Sequence, residues 1–175
     1  MLIVTQLICV VVYLRFMLSF AQIASPDTAL ASIITDAQGK PIGSRQVAQD
    51  FTKAEYFWPR PSAVDYNGAG AGGSNKSPTS PELTERAQEI VARYGATNER
   101  PLPPDLAAAS GSGLDPFITE AAARFQLPRV AGARGLEPAK IEPLLSAAST
   151  TPGGFLTGSR IFNVLELNLA LDALK

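Results

Sequence analysis

The side chains available for chemistry in this sequence are sixteen carboxylates, fifteen Lys and Arg, four tyrosines and one thiol; histidine is absent. Carboxylates, Lys and Tyr can act as acids or bases. A Ser–His–Asp or Cys–His arrangement cannot be assembled without an imidazole. The single thiol, Cys9, lies in an apolar stretch, so the polar part of the chain lacks both ligand types of a typical zinc site and cannot form a disulfide framework. No metal site and no intrinsic cofactor are expected. The net charge is −1, with bases scattered among acids; without clustered Lys and Arg to neutralise phosphates, nucleic acid is not an expected partner. The carboxylates read as a solvated surface.

One segment could still bind something. Residues 60–81, RPSAVDYNGAGAGGSNKSPTSP, carry four glycines, three prolines, four serines and two asparagines, a composition that nearly excludes regular structure. Unstructured loops beyond about 12–15 residues in a compact domain are either functional or disordered. A phosphate loop needs G-x4-G-K-[ST], but Gly68 and Gly73 are followed by Ser74, with Lys76-Ser77 out of register. Exposed backbone N–H groups could nonetheless hold an anion or another chain, since glycine lets a partner approach closely. The entry to this loop is aromatic: Phe51, Tyr56, Phe57, Trp58 and Tyr66 fall within sixteen residues. Core packing and a partner-binding patch both explain such clustering. Candidate partner-binding residues are Tyr56, Phe57, Trp58, Arg60, Tyr66, Asn67, Gly72, Gly73 and Asn75.

The elements that must position this loop follow from patterning. Residues 1–24, MLIVTQLICVVVYLRFMLSFAQIA, contain one charge, Arg15; a helix of that length spans roughly 36 Å, enough for a hydrocarbon core of about 30 Å. A central Arg costs about 2.5–3.5 kcal/mol on insertion scales, which the bulky apolar neighbours outweigh. An uncleaved anchor is the expectation, ahead of a signal peptide cut near Ser19–Ala21 or a buried helix. Residues 25–175 then form one domain, large enough for a core without disulfides or metal. A short β-hairpin is expected from residues 29–35 and 41–47 across Gln38-Gly39. Ser80 and Pro81 open a helix with Leu83, Ala87, Ile90, Val91 and Tyr94 on its apolar face, closed by Gly95. Asp115-Pro116 reads as the start of a helix through Phe125, Pro128 as the start of another toward Arg134, and Pro138 as a third burying Ile141, Leu144 and Leu145. The segment NVLELNLALDAL fits both a strand and a helix; Asn163 with Glu166 resembles a capping box and favours helix. The predicted class is α+β, one transmembrane helix followed by a small mixed domain with a hairpin sheet and several helices.

Four blocks stand out: YFWPRPSAVDYNGAGAGGSN (56–75), ASGSGLDPFI (109–118), QLPRVAGARGL (126–136) and NVLELNLALDAL (163–174). In order and spacing they resemble the C-subunit family of the bacterial Kdp potassium-transporting P-type ATPase. The resemblance implies a non-catalytic, single-pass accessory subunit of the plasma membrane, with its domain outside the cytoplasm. Implied partners are a potassium-channel-like subunit and the P-type ATPase subunit, whose affinity for ATP it would raise as a catalytic chaperone; ATP enters only through that complex. The family's nucleotide-linked Leu-Ser-x-x-Gln stretch falls at Leu136-Glu137-Pro138-Ala139-Lys140, which lacks the serine and glutamine, leaving Lys140 as the one nucleotide candidate. The competing expectation is an anchored extracytoplasmic domain binding a small ligand or anion. An ATP-dependent enzyme is the least favoured.

Overall fold

The computed structural model describes residues 1–174; Lys175 lies outside them. The chain divides into two units, Met1–Arg45 and Gln46–Lys175. In the first, one apolar helix covers Leu2–Ala24 without burying any of its surface. It comprises α1 (Leu2–Gln6), a π-helical stretch (Leu7–Val12) and α2 (Tyr13–Ala24). A single turn, α3 (Pro26–Ala29), precedes the hairpin of β1 (Ile33–Thr35) and β2 (Pro41–Ser44), which pair antiparallel. Asp36 makes this turn: its Oδ1 accepts from the N–H groups of Gln38 and Lys40, and Gly39 takes φ +78°, a conformation costly for residues with a Cβ.

The second unit holds the core. Helix α4 (Pro81–Tyr94) begins after Ser80 and ends at Gly95 in the left-handed conformation, as the sequence predicts. Its apolar stripe is shallower than expected: no residue of α4 is fully buried and Val91 is 40% exposed. A turn, α5 (Pro104–Ala107), seats Leu106 in the core.

The expected helix from Asp115-Pro116 is corrected. Residues Phe117–Thr119 form β3, antiparallel to β4 (Ile161–Asn163), with Ile118 opposite Phe162 and both buried. That pairing lies more than forty residues away in sequence, beyond any local signal, and it overrides the cap-like Asp-Pro. The true N-cap is Thr119, whose hydroxyl accepts from the Ala122 N–H. From there α6 (Glu120–Arg134) runs unbroken, so the expected break at Pro128 does not occur. An internal proline costs about 3 kcal/mol; here Ala122, Ala123, Leu127, Val130 and Ala131 are buried on both sides of it, and that burial holds the two halves in one helix.

Helix α7 (Pro138–Ala148) buries Ile141 and Leu145, with Leu144 half-buried. Helix α8 (Val164–Asp172) settles the ambiguous segment: Asn163 caps it through Oδ1 on the Glu166 N–H, and Val164, Leu167, Asn168 and Leu171 share its buried face. Two small antiparallel sheets with several helices give an α+β fold, with one sheet more than the hairpin the sequence suggested.

Candidate functional site

The segment entering the glycine-rich loop has no regular structure, and no ladder strand lies beside it. Its carbonyls from Lys53 to Trp58 are instead each taken by a side chain. Trp58 Nε1 donates to Lys53 O at 2.9 Å. Arg129 Nη1 donates to Ala54 O and Tyr56 O at 2.6 and 3.1 Å, and Arg134 Nε to Glu55 O at 2.7 Å. Two carboxamides finish the set by copying the edge of a neighbouring strand. Asn168 accepts from the Phe57 N–H at 2.8 Å and donates to Phe57 O at 3.0 Å; Gln126 does the same for Trp58 at 2.8 and 3.1 Å. Both carboxamides are about 1% exposed, so each bond replaces a desolvated orphan that would otherwise cost about 1–3 kcal/mol.

Those anchors dictate where the aromatics go. Phe57 is fully buried in the core cluster and Trp58 is 8% exposed. Two guanidinium groups lie over the Trp58 ring, Arg129 at 3.7 Å and Arg93 at 4.3 Å from its centre, with Tyr94 edge-on at 5.2 Å. Burial lowers Arg129 to about 10, and the neighbouring Arg93 charge works the same way against the Tyr94 hydroxyl beside it. Tyr56, half-buried, donates to Asp172 Oδ2 at 3.1 Å; burial, then that carboxylate, raises its pKa. Arg134 grips the same carboxylate at 2.7 Å.

Beyond Trp58 the loop is built against a second motif, ASGSGLDPFI. The Ser110 N–H donates to Pro61 O, the Gly72 N–H to Ser112 O, and Arg60 pairs with Asp115 at 2.9 Å. Ser110 and Ser112 turn their hydroxyls onto the N–H groups of Gly113 and Leu114. Gly113 has to be glycine: it holds φ +68°, and a Cβ there would sit 2.5 Å from Val64 Cγ2 and 3.0 Å from Gly72 O. Gly73 is also confined: a Cβ there would sit 3.1 Å from Gly111 O. Tyr66 closes the turn through its hydroxyl on Arg60 O at 2.9 Å, and burial, then Asp50, pushes its pKa up to about 12. Asp65, Tyr66 and Asn75 hold positive φ without being glycine; Tyr66 is fixed there by its N–H on Ser62 Oγ at 3.0 Å as well as by its hydroxyl bond.

The structure thus joins Arg60, Tyr66, Gly72 and Gly73 to the 110–115 turn and sends Phe57 and Trp58 inward. Asn67, Gly68, Ala69, Gly70 and Ala71 form the exposed rim, and Asn75 is exposed beyond it. Lys140 is exposed on the first turn of α7. Beside the loop, Arg60, Asp105, Asp115, Phe117 and Thr119 help line an open cavity of about 270 Å³. Both carboxylates are engaged, Asp105 by the Thr119 N–H and hydroxyl and Asp115 by the Phe117 N–H and Arg60. Sequence reasoning assigned no site role to Gln126, Asn168, Arg129 or Arg134, and read Asp115 only as a helix start. One signal was present: Asn168 is a polar residue on the apolar stripe of its own helix.

The motifs that meet here match known proteins over nearly the whole chain. A family model described as "KdpC: K+-transporting ATPase, c chain" matches residues 1–173. The chain is 60% identical to the potassium-transporting ATPase KdpC subunit of Parvibaculum lavamentivorans, covering 96% of this chain and 90% of that protein. It is 44% identical to the KdpC subunit of Geobacter sulfurreducens over 99% of this chain and 94% of the relative, and 41% identical to that of Pseudomonas aeruginosa over 99% and 93%. The loop, its supporting turn, the α6 clamp and the α8 carboxamide all fall inside these matches, and the chain belongs to the KdpC family of potassium-transporting ATPase c chains.

Proposed function

We propose that this chain is a non-catalytic, single-pass subunit of an ATP-driven potassium uptake complex, anchored by residues 2–24, whose extracytoplasmic domain docks on the channel-like subunit through the rim of its glycine-rich loop. The observation that carries this reading is the loop's construction. A segment without secondary structure is held by side chains at every carbonyl from 53 to 58 and braced by the 110–115 turn, while residues 67–71 stay outside. So many fixed polar contacts around an exposed glycine edge suit a preformed surface for another chain, because binding then orders little further backbone. The ATPase subunit would respond through the complex, gaining affinity for ATP without any residue of this domain touching the nucleotide.

Buried Phe57 and Trp58 are poor test positions, since truncation would injure the core. The rim is the place to probe. Ala69→Glu or Ala71→Arg, introduced in the full chain and co-expressed with the other subunits, should lower their co-purification while leaving Trp58 fluorescence and far-UV dichroism unchanged. Undiminished recovery with both variants would refute the docking surface. The chaperone role has its own readout: assembly without this chain should raise the complex's KM for ATP more than it lowers kcat, and an unaltered KM refutes it.

The small-ligand alternative has one feature in its favour, the cavity beside Arg60, whose Nε is buried without a hydrogen-bond partner among the described residues. An anion there would also meet Asp105 and Asp115. The alternative expects about 2.7 kcal/mol of thermal stabilisation at 100 Kd of phosphate or another small anion; our reading expects none.

A further inference from the structure

Arg15 is the one charged side chain of the apolar helix, and among the described residues no acidic side chain pairs with it. The first acidic residue is Asp27, beyond the helix end. Among the described residues Arg15 is exposed and the helix buries none of its surface. Arg15 stands nine residues before Ala24 in the regular part of the helix, which places it about 13 Å from that end. With the 23-residue span centred on a hydrocarbon core of about 30 Å, the nearer boundary lies about 12 Å away. A guanidinium on its three-methylene stem reaches roughly 7 Å, so a lipid headgroup is out of range. Arg15 is also not alone. Ser19 and Gln22 follow at the i+4 and i+7 positions of the same α-helix and so share its face. Leu14, Phe16, Met17, Leu18, Phe20 and Ile23, all exposed, make up most of the rest of α2, with Tyr13 at its start and the small Ala21 and Ala24 near its end. Polar side chains hydrogen-bond across helices inside a membrane, and ionisable ones there face a protein partner instead of lipid.

We propose that the Arg15–Ser19–Gln22 stripe is the intramembrane docking face of this chain, and that its occupant is a transmembrane helix of another subunit of the same complex, carrying an Asp or Glu at the depth of Arg15. The proposal rests on residues 2–24 being a membrane span. The carboxylate supplies the counter-charge that offsets the insertion cost of the guanidinium, and Ser19 and Gln22 hydrogen-bond to the same helix one and two turns further along. The span is thereby a specific recognition element as well as an anchor.

The test uses the full chain, tagged and co-expressed with the other subunits, comparing Arg15→Leu with Arg15→Lys. Leucine improves insertion, so R15L should stay in the membrane on alkaline carbonate extraction yet lower co-purification of the other subunits by about tenfold or more, while R15K retains most of it. Neutralising the partner subunits' intramembrane Asp and Glu residues one at a time to Asn or Gln should reproduce the R15L loss at one position. Unchanged recovery with R15L overturns the proposal, as does a scan in which no carboxylate matters. Loss of the wild-type complex only when anionic lipid is stripped away overturns it in favour of a headgroup. If carbonate releases the wild-type chain, or its intact mass shows cleavage before Ala24, the span reading itself has failed; that result is separate from the R15L comparison.

Discussion

Replacing Asn168 by Leu tests whether the candidate surface depends on a single buried carboxamide. Leucine matches asparagine in the number and branching of its side-chain heavy atoms and favours helix, so N168L keeps α8 while removing two hydrogen bonds, and its bulkier methyls add to the loss at this buried position. The Phe57 N–H and carbonyl, which those bonds satisfy at 2.8 and 3.0 Å, are then buried without partners. At about 1–3 kcal/mol for each orphaned group, the loss is about 2–6 kcal/mol. Trp58, the only tryptophan, is the next residue, so its fluorescence reports on the same segment. In urea titrations of the full chain in mild detergent, with a slope of about 1–3 kcal/mol/M, the midpoint should fall by about 1 M or more. N168D sharpens the test. An ionised carboxyl can accept from the Phe57 N–H but cannot donate to the carbonyl; protonated, it can do both. Burial raises its folded pKa above the unfolded value, so its stability is greatest below about pH 4 and is lost as pH rises through the folded pKa, a dependence absent from the wild type at this position. An N168L within about 0.5 kcal/mol of wild type, or an N168D without acid recovery, would refute the carboxamide argument.

Gly113→Ala should destabilise by more than about 1 kcal/mol, because its φ is +68° and a Cβ would collide with Val64. Gly132→Ala, with open space inside α6, should be neutral or stabilising by up to about 1 kcal/mol; urea midpoints of the two variants decide it. Tyr66, raised to about 12 in the folded chain, holds its stabilising contribution below its unfolded pKa and loses it as pH climbs through the folded one. Between about pH 10 and 12 the wild type should therefore shed up to about 2–3 kcal/mol that Tyr66→Phe does not, read as a flatter stability curve. Arg124 bridges Glu120 and Glu142 at the surface, at 2.8 and 3.0 Å. Arg124→Ala should leave the thermal midpoint nearly unchanged, and any small difference should shrink at high salt.

Local signals were reliable where they acted locally. Ser80, Pro81 and Gly95 bracket α4 as read, and Asn163 caps α8 through Glu166. The failures share a cause in distance along the chain. Asp115-Pro116 looks like a helix start until β4 arrives to pair with residues 117–119, and Pro128 looks like a break until the burial on either side of it is known. The loop's position was legible from composition, but its order was not. Gln126 looks like a surface residue in a one-dimensional reading and Asn168 shows only as a polar position in an apolar stripe; the fold reveals that both stand in for a missing strand. The aromatic cluster divides for the same reason, Phe57 and Trp58 going to the core while Tyr56 and Tyr66 use their hydroxyls at its edge.

The Asn168–Phe57 clasp joins residues 111 apart, and this separation has a kinetic meaning. Until α6 and α8 have formed and met, residues 54–58 have no stable partner for their carbonyls and must remain hydrated. Long-range closure of that kind is slow, because the chain entropy is spent before the contacts form. The surface is therefore expected to appear in the final phase of folding, with Trp58 fluorescence lagging behind the recovery of helical dichroism. Under the docking role proposed for the loop, such a lag would work as a checkpoint: a chain whose helices are incomplete would have no finished loop to offer, and immature copies would be kept from entering an assembly.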